Sequence, residues 1–210
     1  DSDMPIAEYV SLLKPFGVPV FAGVELYCEY GVRNDLAAFG GFAKKYFEEG
    51  AEKIYPFNSF FMFDDRFTEE GRFQPLHALL SSPESLAGQD MRFVQTYEDV
   101  IPEGEEARRP LPFSVNGDKV FPLNTGSYGE NVPVTLYMAF DGETPSVFIN
   151  GVLAEEHSDV SGALIQSGYS GGGVLHAFRA TVNAKDKIQR IFLCGKTTVT
   201  HIEWLVKGNR

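Results

Sequence analysis

Apolar residues recur at helical spacing from Pro5 to Leu13, where Ile6, Tyr9, Val10 and Leu13 share one side. Asp3 is placed to cap the start and Gly17 to end the turn beyond. Val18-Pro-Val-Phe-Ala-Gly-Val-Glu-Leu26 then runs almost unbroken in apolar residues, the pattern of a strand buried on both faces in a parallel sheet. Asn34 or Asp35 can cap a second helix, whose stripe of Leu36, Phe39, Phe42, Ala43, Tyr46 and Phe47 is closed by Gly50. Lys53-Ile-Tyr-Pro-Phe-Asn58 reads as a second buried strand, and a Phe-rich loop leads to a short helical pattern around Pro75 to Leu80. The predicted order is α, β, α, β, α.

That alternation predicts parallel strands with crossover helices, and parallel sheets are covered on both faces. Two strands do not complete such a sheet. A whole (β/α) barrel takes about 250 residues, so residues 1–104 are expected to supply a partial barrel, its last two strand–helix units. The remaining units are either outside this chain or replaced by contacts with another copy.

From Arg109 onward the spacing changes to short alternating runs broken by Gly, Asn, Asp and Pro, which predicts an antiparallel β-sandwich over 105–210 with a boundary near Pro102 to Pro110. In the run from Val134 to Phe140, the residues Val134, Leu136, Met138 and Phe140 form a core face, and Thr135, Tyr137 and Ala139 form the other. Asn116-Gly117, Asp141-Gly142 and Asn150-Gly151 offer tight turns, and Ser146 to Asn150 with Val152 to Ala154 reads as a hairpin. Further strands fit Phe178 to Val182, Ile188 to Cys194 and Thr200 to Val206. Ser158 to Gly173, rich in Gly and Ser, is expected to be a long surface loop. The fold class is therefore multidomain, α/β followed by all-β.

Composition narrows the function classes. A hydrophobic share of 43% and a charged share of 22% describe an ordinary globular chain. The net charge of −11, with scattered Lys and Arg, argues against a nucleic-acid partner. No apolar run approaches the roughly 20 residues of a membrane span, and the start lacks the pattern of an export signal. Opening on Asp1-Ser2-Asp3 fits either a segment of a longer chain or a short native terminus. Cys28 and Cys194 lie in different halves and suggest neither a disulfide framework nor a metal site.

Glu25 ends an otherwise apolar strand, and the carboxyl ends of parallel strands are where catalytic groups collect. Glycosidases need two carboxylates roughly 5–10 Å apart, so Glu25 is a candidate for one, with Glu29, Asp64 or Asp65 in the loops beyond. The plainer reading has Glu25 meeting solvent or pairing with Arg33. Asn58 ends the second strand, where its amide can bind a sugar hydroxyl or simply cap a loop. Tyr27, Tyr30, Phe60, Phe61 and Phe63 can stack on pyranose rings or plug a barrel mouth. Tyr169 in the glycine-rich loop can reach a ligand or pack the loop, and Trp204 reads as core. His157 with Asp159 falls short of a metal site, Gly171-Gly172-Gly173 lacks the context of a phosphate loop, and no cofactor is indicated.

The stretch from Val18 to Glu25, the helix to Gly50 and the run from Gly50 to Asn58 resemble the seventh and eighth strand units of TIM-barrel glycoside-hydrolase-like proteins. Ser82-Pro-Glu-Ser-Leu-Ala-Gly88 with Arg92-Phe-Val94 is similar to the segment leaving such barrels, and the remainder resembles an appended jelly-roll. The resemblance implies a carbohydrate-active protein of bacterial type, with Glu25 as the nucleophile, and Tyr27, Tyr30, Arg33, Asn58, Phe60 and Tyr169 are the candidates for binding an oligo- or polysaccharide. The acid/base carboxylate of those barrels comes from a fourth strand outside this chain, so the chain alone is expected to be inactive. Alternatives are a non-catalytic carbohydrate-binding module and a structural protein that assembles as a homo-oligomer through the incomplete barrel. The compartment stays open, an extracellular or periplasmic parent being what suits the resemblance.

Overall fold

A computed structural model of the chain describes residues 4–25, 35–57, 73–95, 111–165 and 172–208. Helix α1 (Ile6–Leu13) is followed by a 3-10 turn, Lys14–Phe16, which Gly17 ends in the left-handed region at φ 65°. Strand β1 (Phe21–Glu25), helix α2 (Leu36–Glu48) and strand β2 (Lys53–Phe57) form a unit in which β1 and β2 pair in parallel, Phe21 opposite Lys53 and Glu25 opposite Phe57. Asp35 is the cap of α2, its Oδ1 accepting from the Ala38 N–H at 2.7 Å. The α2 stripe buries Phe39, Phe42, Ala43 and Tyr46, with Phe47 partly buried, whereas Leu36 stays exposed. Helix α3 (Phe73–Leu79) and a second 3-10 turn, Pro83–Leu86, then lead to β3 (Met91–Gln95).

The chain is mostly β. Strands β4 (Phe113–Asn124), β5 (Val132–Gly142), β6 (Ser146–Ile149), β7 (Val152–Leu153), β8 (Glu155–His157), β9 (Val174–Val182) and β10 (Ile188–Val206) follow among the described residues. Among the described residues they form, with β3, one eight-stranded sheet that pairs antiparallel throughout and curls nearly into a barrel. Strand β3 thus lies before residue 104 in the chain yet pairs with β10 in this sheet, Phe93 opposite Trp204. One continuous cluster of buried side chains runs from Ile6 through Phe39 and Phe93 to Trp204. Among the described residues no helix is long and apolar enough to cross a membrane.

The two runs expected at Ile188 to Cys194 and Thr200 to Val206 are one strand, β10, and it organises the sheet. One edge pairs with β4 over Ile188 to Val199 and with β3 over Ile202 to Val206; the other pairs with β6 and then with β5. A bulge lies at the middle, where Val199 faces Phe140 and His201 faces Ala139, leaving Thr200 as the extra residue. Side chains alternate along a strand, so one extra residue reverses the faces. Before the bulge the core takes odd-numbered residues, Ile191, Leu193 and Val199; after it the core takes Ile202, Trp204 and Val206. His201, Glu203 and Leu205 are thereby turned to the opposite side.

That opposite side is also covered. The sequence reading gave β5 a single core face, but Tyr137 and Ala139 are buried along with Leu136 and Met138. Tyr137, Ala177 and Leu205 form a second small cluster, packed with Ala37 at the start of α2 and with Val160 and Ala163. The Ser- and Gly-rich stretch expected to be a surface loop therefore packs Val160 and Ala163 against this cluster in its first part, and its own Leu164 is buried in the main core. Asn150-Gly151 makes the expected hairpin turn between β6 and β7, both residues at positive φ. Asn116-Gly117 does not turn: Gly117 lies within β4, opposite Gly195 of β10.

Candidate functional site

The carboxyl ends of β1 and β2 are level, because Glu25 and Phe57 are partners in register. Glu25 is the last residue of β1, and Asn58 follows directly on β2. Asn58, Tyr27, Tyr30, Arg33, Phe60 and Tyr169 lie outside the described residues, as do Glu29, Asp64, Asp65, Phe61 and Phe63. Residues 26–34 connect this end of β1 to Asp35 at the start of α2, and Asp35 Oδ2 stands 3.4 Å from Arg92 Nη2.

Arg92 belongs to a buried polar network built on the outer side of β3 and β10. Glu203, with no exposed surface, accepts from Arg92 Nη1 at 2.5 Å and from the Leu164 N–H at 2.9 Å. Its Oε1 also accepts from the Ile165 N–H at 3.2 Å, and His201 Nε2 lies 2.7 Å from that same oxygen. An ionised carboxylate only accepts, so His201 must carry its proton on Nε2. Arg92 Nη2 donates to the Gly162 carbonyl at 2.9 Å. The Arg92 guanidinium lies 5.9 Å from the centre of the Tyr137 ring. Arg92 Nε and Gln95 Oε1 are buried without a hydrogen-bond partner among the described residues.

Electrostatics follows from this packing. Burial would push the Glu203 carboxyl upward, but the His201 hydrogen bond and charge, the Arg92 charge and the Leu164 N–H outweigh it and hold the group below the usual glutamate value. Burial raises the Tyr137 hydroxyl, with the Glu203 and Asp159 charges adding to it against Arg92 and Arg179. Every lone-pair direction of Glu203 is engaged, so the group serves as a fixed anion that ties residues 162–165 to the sheet. It is not placed to move a proton.

Sequence reasoning missed Arg92, His201 and Glu203. The available signal was the parity of His201-Ile202-Glu203-Trp204, in which polar residues alternate with core residues in a strand flanked on both sides. His157 and Asp159 join instead in a local turn, the Asp159 N–H donating to His157 Nδ1 at 3.1 Å while Asp159 accepts from Ser161. Trp204 is core, as expected. A cleft of about 610 Å³ lies between the end of α2, the turn at Pro83–Leu86 and the loop carrying Tyr128. The Tyr128 hydroxyl is buried there with no partner among the described residues. Burial, with the Glu48 charge beside it, holds that hydroxyl well above the usual tyrosine value. Compared with protein-family models and with curated proteins, the chain matches none.

Proposed function

We propose that the chain is the C-terminal part of a glycoside-hydrolase-like, carbohydrate-active protein, its β1–α2–β2 unit completing a (β/α) barrel and its antiparallel sheet forming an accessory jelly-roll-like domain. The observation that carries this reading is a parallel pair covered on one side. Ala22, Val24 and Ile54 are buried on the side of α2, while Phe21 is 56% exposed and Tyr55 and Phe57 are each 51% exposed. Parallel sheets ordinarily bury both faces, and in a (β/α) barrel the side turned away from the helices is filled by layers of large side chains from neighbouring strands. Phe21, Tyr55 and Phe57 have the size and position for such a layer.

In that setting Glu25, level with Phe57, takes the nucleophile's place at the carboxyl end, and a second carboxylate from an earlier strand supplies the proton. Asn58 and the aromatic residues of the loops after β1 and β2 hold the sugar. The chain by itself is then inactive. The test is hydrolysis of neutral polysaccharides by a protein carrying this chain behind a full set of barrel strands. Activity that falls by orders of magnitude in Glu25→Gln, with binding retained, is the expected result; undiminished hydrolysis by that variant removes the reading.

A further inference from the structure

The first half of the eight-stranded sheet has an outer face of its own. Leu153 of β7, Phe148 of β6, Phe192 of β10 and Val120 of β4 stand directly opposite one another in register, one from each strand. Their chain neighbours Val147, Ile149, Ile191 and Phe121 point into the core, so this row lies on the far side of the sheet. Leu153 is 63% exposed and Val120 52%. The Phe148 and Phe192 rings meet edge to face, 5.5 Å between centres. Beside the row lies a groove of about 510 Å³, whose lining includes Ile188, Arg190 and Phe192 from one face of β10, with Val120, Asp186 and Asn183.

The polar groups of the groove decide what fits it. Arg190 and Asp186 are exposed, and neither side chain has a hydrogen-bond or ion-pair partner among the described residues. Asn183 uses its Oδ1 to accept from the Lys185 N–H, which leaves its amide protons for a ligand. Asn150 fixes the wall by donating to the Asn183 carbonyl and the Gln189 side chain while accepting from the Arg190 N–H. An anionic ligand would face the Asp186 carboxylate and a cationic one the Arg190 guanidinium. A neutral ligand rich in hydroxyl groups satisfies both, since guanidinium and carboxamide donate to hydroxyl oxygens and the carboxylate accepts from hydroxyl protons. Such a ligand must also present a flat C–H surface to Phe192.

We propose that this face binds an uncharged oligosaccharide, with Phe192 as the stacking ring and Arg190, Asp186 and Asn183 as its hydrogen-bonding side. The site is separate from the carboxyl ends of β1 and β2 and stands whether or not the barrel reading does.

Native-gel affinity electrophoresis of the full chain tests it, with hydroxyethylcellulose, xylan, β-1,3-glucan, galactomannan and soluble starch cast in turn as probes. Trp204, buried in the core, reports by its fluorescence that each variant is folded. The expected result is retardation by at least one neutral polysaccharide, weakened at least tenfold in Phe192→Ala and severalfold in Arg190→Ala and Asp186→Asn. Phe57→Ser should leave it unchanged. Two results overturn the proposal: no retardation by any of these probes, or retardation that Phe192→Ala leaves intact, whether or not that variant changes its oligomeric state. Loss of retardation in Phe57→Ser but not in Phe192→Ala assigns the sugar to the parallel unit, and so overturns this inference while leaving the proposed function standing.

Discussion

Glu203 illustrates how a single side chain can be held ionised where no water reaches it. Breaking a buried, fully hydrogen-bonded ion pair by removing one partner costs about 3–5 kcal/mol. Glu203→Gln is expected to lower unfolding stability in urea by about that amount, and to expose the Leu164 and Ile165 amides to faster hydrogen exchange. The pH dependence has a definite sign. The folded carboxyl ionises below its ordinary value of 4.5, so its contribution is complete above that pH and is lost as pH falls through the folded value. Stability curves of the wild type should therefore fall more steeply with acid below about pH 4.5 than those of Glu203→Gln. Tyr128 presents the opposite case, a buried hydroxyl with no hydrogen-bond partner among the described residues. Removing an unsatisfied buried polar group is neutral or favourable, so Tyr128→Phe is expected to match or exceed the wild type by up to about 1 kcal/mol; a loss of more than that would mean that the hydroxyl has a partner.

Among the elements, α2 and β3 show what local pattern conveys and what it omits. The α2 stripe and its Asp35 cap were readable because a helix declares its buried side within a few turns. So was the parallel pair, from two short apolar runs around a helix. The contact of α2 with β3 was not, since it rests on Gly41: a Cβ there would run into the Arg92 backbone carbonyl. Alanine is better than glycine in a helix by about 1 kcal/mol, yet Gly41→Ala is expected to destabilise the protein by several kcal/mol, because backbone cannot step aside as a side chain can. Gly23→Ala in β1, where nothing lies within 4 Å of the added methyl, is the control and should change stability by less than about 1 kcal/mol. Chemical denaturation of the two variants side by side measures the difference. The union of the last two predicted strands into β10 was hidden for a related reason: Gly195-Lys196-Thr197-Thr198 interrupts the apolar alternation just where the strand changes partners.

For the whole molecule, the parts that sequence could not foresee are those made by distant residues. Arg92 and Glu203 are 111 positions apart and Leu164 lies 39 positions from Glu203, so no window of neighbouring residues contains the network. The candidate residues at the ends of β1 and β2 were named from pattern and resemblance, while the groups whose geometry is now known arose from pairing across the sheet. The exposed side of the parallel pair also bears on how the isolated chain behaves. Apolar surface of this kind associates, so light scattering of the chain alone is expected to show concentration-dependent oligomers that Tyr55→Ser with Phe57→Ser reduces. A strictly monomeric wild type would argue that this side needs no cover. The Thr200 bulge carries one more consequence. Loss or gain of a single residue anywhere between Leu193 and Ile202 would exchange the two faces of the following stretch, turning Glu203 toward the main core and Trp204 toward the side of Tyr137 and Ala177. Viable homologues should therefore differ in length there only by even numbers.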